Sequence, residues 1–231
     1  MIYYNSKIHY AKRGHEKMEL KGKKINFLGD SITEGHGTSD VQTKPYHQLL
    51  KVNVGLAEAR NYGKGGTKIA RLPVITDNPF DQDFNLRVEK MDKDADAVVV
   101  FGGTNDYGHA TIPLGTFEDR DVHTFYGGMH TLCLYLLKNY TDKPIVFMTP
   151  LHRLHEGKFE NDISCPLYEF VKAQREVCEY YSIPVLDMYK EGGMPGNVWA
   201  WCEKYMPDGL HPNDAGHELI AHKLQKFLEN L

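Results

Sequence analysis

The sequence predicts an α/β fold, a three-layer α/β/α sandwich around a five-stranded, mostly parallel sheet. Three observations carry that prediction. Short apolar runs alternate with helical patterns along the chain. The runs are continuously apolar, as strands buried on both faces require. Each is followed by a polar or glycine-rich loop, and ligands of such sheets bind beyond the carboxyl ends of the strands.

The elements read in order as follows. Residues 1–22 are polar and aromatic, broken by Gly14 and Gly22. They are expected to form an N-terminal arm, and a candidate homo-oligomer contact, outside one domain at 23–231. The first strand is the apolar run at 23–28, ended by Gly29 and Asp30. A less apolar strand is expected at 56–62, ending in Gly63-Lys64-Gly65-Gly66. Residues 97–101 read Ala-Val-Val-Val-Phe and stop at Gly102-Gly103. Two further strands are expected at 144–148 and 183–187. Phe125, Met129, Leu132, Leu136 and Leu137 recur at helical spacing within 123–140. Leu167, Phe170, Val171, Val177 and Cys178 do the same within 166–181. The last helix starts at Asn213, with an apolar face of Leu219, Ile220, Leu224, Phe227, Leu228 and Leu231.

Composition excludes several classes. In 231 residues, 27 Lys and Arg stand against 31 Asp and Glu, a net charge of −4. A mildly acidic chain is a poor partner for nucleic-acid backbones. The mean hydropathy of −0.49 is that of an ordinary soluble domain. No apolar run approaches the roughly 20 residues of a membrane span, so no membrane insertion is expected. The N-terminus lacks the apolar core of a secretory signal, which makes the expected location cytoplasmic. Cys133, Cys165, Cys178 and Cys202 form no CxxC pair and are read as reduced thiols.

Four loops carry chemistry. They hold Gly29-Asp30-Ser31, Gly63-Lys64-Gly65-Gly66-Thr67, Gly103-Thr104-Asn105-Asp106 and Asp208-Gly209-Leu210-His211-Pro212. A serine hydroxyl is a weak nucleophile until a base takes its proton, and His211 is the natural base. Asp208, three residues earlier, would reach the far ring nitrogen of His211 and fix its tautomer. Candidate oxyanion donors are the Ser31 and Gly66 amides and the Asn105 side chain. Asp30 is read as holding the serine loop. Each block alone has a plainer reading: Ser31 as a helix N-cap, Asn105 as a turn residue, His211-Pro212-Asn213 as a helix start.

At these residues the chain resembles the SGNH hydrolase superfamily, also called GDSL esterases or lipases. Ser31 in Gly-Asp-Ser-Ile, Gly66, Asn105 in Gly-Thr-Asn-Asp and His211 in Asp-Gly-Leu-His-Pro stand in the family's order. Ile32 stands where the family most often has Leu. The resemblance implies a flavodoxin-like sandwich with strand order 2-1-3-4-5. It also implies an activity among esterases, thioesterases, lysophospholipases and carbohydrate acetylesterases. The arm and the segment 107–124 fall outside what it covers.

The expected function is a serine esterase acting on short-chain acyl esters, acetyl in the first place, on a carbohydrate carrier. It would work through an acyl-enzyme on Ser31, with a small-molecule ester as partner and no cofactor. The alternatives are a lysophospholipase or thioesterase of the same superfamily, or a catalytically silent binding module. Tyr107, His109, Trp199 and Trp201 are candidate substrate contacts. His152 and His155 are spaced like a ligand pair but are read as solvated loop residues, and His217 as partly exposed, so no metal is expected.

Overall fold

A computed structural model describes residues 18–109, 111–157, 165–196 and 198–231. Residues 1–17, and with them the oligomer contact expected of the arm, lie outside the described residues. The elements are β1 (Lys24–Gly29), α1 (Ser31–Glu34), α2 (Tyr46–Val54), β2 (Glu58–Gly63), α3 (Phe84–Arg87), β3 (Ala97–Phe101), α4 (Thr104–Gly108), α5 (Phe125–Asn139), β4 (Ile145–Met148), α6 (Leu167–Tyr180), β5 (Val185–Leu186), α7 (Met188–Glu191), α8 (Trp199–Tyr205) and α9 (Asp214–Glu229). The five strands form one parallel sheet in the order β2-β1-β3-β4-β5.

The two faces of the sheet explain the unbroken apolar runs. Leu28, Val98, Val100, Ile145 and Phe147 point into one core with Met129, Leu132 and Leu136 of α5 and Phe170, Val171 and Val177 of α6. Ile25, Phe27, Val99, Phe101, Val146 and Met148 point into the other, with Tyr46 and Leu50 of α2 and Ile220, Leu224 and Leu228 of α9. Successive residues of a strand therefore face different helices, and neither face is free to be polar. β2 is the exception. It is an edge strand of half-buried and exposed residues, and Arg60 on it bonds Glu58 and Asp94.

Local chemistry sets the ends of the elements. Thr124 caps α5, accepting the Gly127 amide at 3.1 Å. Asn213 caps α9 in the same way from Gly216. β5 is shorter than the expected 183–187. Pro184 has no N–H to give, although its carbonyl still accepts from Phe147 at 3.1 Å. Asp187 turns away to cap α7, accepting the Lys190 amide. The chain before β1 is packed down by residue 18: the Met18 amide donates to the Glu229 carbonyl, and Leu20 is buried under α9 and α2.

Candidate active site

Parallel pairing brings the loops together. Gly29 at the end of β1 is in register with Gly63 of β2 and Phe101 of β3. The segments carrying Ser31, Gly66 and Asn105 therefore leave the sheet side by side.

Asp30, not Ser31, caps α1, since its Oδ1 accepts the Ile32 amide at 3.0 Å. The Ser31 hydroxyl is thereby left for another partner. Ser31 Oγ lies 3.0 Å from His211 Nε2. His211 Nδ1 lies 2.6 Å from Asp208 Oδ2, while Asp208 Oδ1 accepts the amides of His211 at 2.7 Å and Leu210 at 2.9 Å. Burial pushes the Asp208 carboxyl up, but the His211 amide, the His211 ring and the Leu210 amide outweigh it and hold it below its ordinary value. An ionised Asp208 makes Nδ1 the donor and leaves Nε2 to accept from the Ser31 hydroxyl. His36, exposed just beyond α1, sets its ring 4.9 Å from that of His211.

The neighbouring loops carry hydrogen-bond donors that are not used up. Asn105 Nδ2 gives one hydrogen to the Thr67 carbonyl at 3.0 Å, and its other hydrogen has no acceptor among the described residues. Nor do the Ser31 and Gly66 amides have an acceptor among them. Gly66 takes a left-handed φ of +71°, and a Cβ there would sit 2.7 Å from the Phe80 ring, so glycine is required twice over. Side chains hold this turn from both sides. Glu34 Oε2 accepts the Gly65 amide at 2.7 Å, and the Asp106 carboxylate accepts the Ile69 and Ala70 amides. The arrangement offers a nucleophile, a base with an oriented tautomer, and unused donors for a developing oxyanion.

Residues 27–219 match the GDSL-like lipase/acylhydrolase family, most of the chain. The chain belongs to that family. Among solved structures, a Lactobacillus plantarum protein shares 33% identity with this GDSL acylhydrolase, covering 90% of this chain and 97% of that one, with a TM-score of 0.78. A lipase/acylhydrolase from Enterococcus faecalis (21% identity, 90% and 95% covered, TM-score 0.60) has a similar fold. So does an acetylxylan esterase from Geobacillus stearothermophilus (19% identity, 91% and 96% covered, TM-score 0.58). No curated protein matches the sequence.

The four candidate substrate contacts of this acylhydrolase separate. Tyr107 is buried, 1% exposed, and its hydroxyl donates to the carbonyls of His155 at 2.5 Å and Gly157 at 2.7 Å. Its ring meets Phe170 edge-on. The expected substrate contact is corrected: Tyr107 braces the 151–157 loop because its aromatic body completes the core behind α4. His109 is exposed at the end of α4. Trp199 and Trp201 are exposed on α8, an element the sequence did not suggest, with Trp201 stacked on Tyr205. Cys202 and Met206 turn inward from that stretch.

Two histidine readings also change. His155 is exposed as expected, but His152 is half-buried: Glu156 holds its Nδ1 at 2.9 Å and Tyr189 lies against its ring. His217 is fully buried, and its Nδ1 accepts the Tyr46 amide at 3.0 Å. Among the described residues, no group of His, Cys, Asp or Glu is arranged to hold a metal ion, and no helix is long and apolar enough to cross a membrane.

Sequence reasoning missed Arg87. Its guanidinium donates to the carbonyls of Gln82, Tyr62 and Gly29 and to Thr67 Oγ1. Nothing local marks it, because these partners lie up to 58 residues away in the chain.

Proposed function

We propose that the protein is a serine esterase of short acyl groups, acetyl foremost, carried on a polar alcohol such as a carbohydrate. The observation that supports it most is the unbroken contact from Asp208 through His211 to Ser31. Ser31 Oγ attacks the ester carbonyl while His211 Nε2 takes its proton. The carbonyl oxygen becomes an oxyanion facing the Ser31 and Gly66 amides and the free hydrogen of Asn105. Collapse expels the alcohol, which takes the proton from His211 and leaves an acyl-Ser31 ester. Water, deprotonated by the same base, then releases the acid and restores Ser31. Asp30 holds the serine turn by its bond to Ile32 and takes no proton in this scheme. What favours a short acyl group and a polar carrier is the company of Asn105 and Ser31: exposed Glu34, His36 and His109, and Arg153 beside Thr104.

The test is a series of p-nitrophenyl esters from acetyl to octanoyl, with wild type and Ser31→Ala. We expect kcat/KM to fall from acetyl to butyryl and to be very low by octanoyl. Ser31→Ala should abolish turnover and labelling by a fluorophosphonate. Activity that climbs with chain length would move the reading to a lipase or thioesterase. A Ser31→Ala variant that still turns over would sink it.

A further inference from the structure

Two cations beside Asn105 lack the carboxylate partners that buried cations normally have. Arg153 is half-buried between α4 and the 208–211 loop. Its Nη1 donates to the carbonyl and hydroxyl of Thr104, each at 3.2 Å, the residue before Asn105. A Cβ on Gly108 would fall 2.5 Å from that nitrogen, so the guanidinium lies directly on α4. Its chain neighbour Leu154 donates its amide at 2.7 Å to Gly209, between Asp208 and His211. The guanidinium lies 5.5 Å from the centre of the Tyr107 ring, but among the described residues Nε is buried with no acceptor, Nη2 makes no hydrogen bond and the side chain forms no ion pair.

Lys68 is the second cation. It follows Thr67, whose carbonyl holds the Asn105 amide. It is 4% exposed, and its ammonium makes no hydrogen bond or ion pair among the described residues. Burial pushes its ionisation down, and Asp106 and Asp81 act on it only at a distance, the carboxylate oxygens of Asp106 accepting the Ile69 and Ala70 amides. His109 registers both cations: although the residue is exposed, partial desolvation of its ring against the protein, then Lys68, then Arg153 push its ionisation down. Neither cation has a carboxylate in direct contact among the described residues, and both belong to segments bonded to the Asn105 turn, Arg153 through Thr104 and Lys68 through Thr67.

We propose that Arg153 and Lys68 form an anion subsite beside Asn105, taking a carboxylate or phosphate borne by the alcohol part of the ester. The anion belongs to the alcohol because an acetyl group has only a methyl to offer; this step rests on the esterase reading above. With Nη1 on Thr104 and Nε buried, Nη2 is the end of Arg153 left to take an oxygen of the anion, and Lys68 adds a point charge. The natural carrier is then an acetylated sugar acid or sugar phosphate rather than a neutral sugar.

The experiment measures acetate release from two matched pairs of probes. One pair is O-acetylated glucuronic acid and its methyl ester. The other is O-acetylated glucose 6-phosphate and O-acetylated glucose. Wild type should favour the anionic member of at least one pair by about tenfold in kcat/KM, and which pair responds tells carboxylate from phosphate. In Arg153→Met and Lys68→Met that ratio should fall toward one. It should also shrink in wild type at 1 M salt, where the Debye length is about 3 Å. If Arg153→Met fails to melt cooperatively, Lys68→Met and the salt series decide. Equal rates within both pairs would overturn the subsite. So would a preference that survives Lys68→Met and high salt, since Lys68 would then serve only to neutralise Asp106. No release from any probe, with none from p-nitrophenyl acetate, would overturn the esterase reading and the subsite with it.

Discussion

Asn105 has two amide hydrogens and only one acceptor, the Thr67 carbonyl. That bond keeps the amide from rotating and leaves the second hydrogen without an acceptor among the described residues. Asn105→Ala should therefore lower kcat on p-nitrophenyl acetate by about 10²–10³ while KM barely moves, because the donor acts on charge that exists in the transition state. A change confined to KM would make Asn105 a substrate holder. Asp208 stands differently, with its side chain 55% exposed. Solvent screens its field at His211, so Asp208→Asn should retain more activity than Ser31→Ala, read in the same assay. These residues were legible in the sequence because each sits within a few positions of a glycine or proline that marks a strand or helix end. The contacts of Tyr107 with the 155–157 backbone and of Arg153 with Thr104 were not legible. Both depend on whether a side chain faces inward at a loop, and no local pattern encodes that.

At the scale of elements, Arg87 ties the site to the sheet. One guanidinium from the end of α3 reaches the carbonyl of Gly29 in β1, that of Tyr62 in β2, and the hydroxyl of Thr67 beside Gly66. Thr67 Oγ1 in turn donates to the Lys64 carbonyl at 2.7 Å. The serine turn and the glycine turn thus share one rigid anchor. Arg87→Met leaves buried carbonyls unpaired and should cost about 2–4 kcal/mol in urea unfolding. It should also cut kcat by up to about 10²-fold, since small misplacements at a reacting centre are that expensive. Stability lost with kcat intact would mean Arg87 serves the fold alone. Strands buried on both faces were readable for the reason that also makes them stable, namely that neither face tolerates polar residues. α2 escaped notice because its buried residues are Tyr46, His47 and Leu50, and a buried histidine weakens the apolar pattern. α8 escaped because its two tryptophans face outward.

Across the molecule, two buried histidines and two buried carboxyls among the described residues set opposing pH dependences. Burial holds His47 and His217 down to about 4, against an ordinary 6.5. Burial lifts Asp30 to about 7 and Asp106 to about 6, against an ordinary 3.8, despite the amide hydrogen bonds each accepts. The signs follow from which state holds more protons. From pH 4.5 to 6 the unfolded chain protonates both histidines and the folded chain neither, so this pair makes stability rise with pH. Over the same range the folded chain keeps the proton of Asp30, and that of Asp106 until it is half lost near pH 6, while the unfolded chain has lost most of both, so this pair makes stability fall. The two pairs nearly cancel. Asp30→Asn removes one of the four and keeps an oxygen for the Ile32 amide. Relative to wild type, its unfolding free energy should climb by about 1.4 kcal/mol per pH unit across that window. Urea titrations of both proteins from pH 4.5 to 6 would measure the difference in slope. Parallel profiles would mean that Asp30 is ionised in the folded protein throughout, its charge held by the buried guanidinium of Arg87.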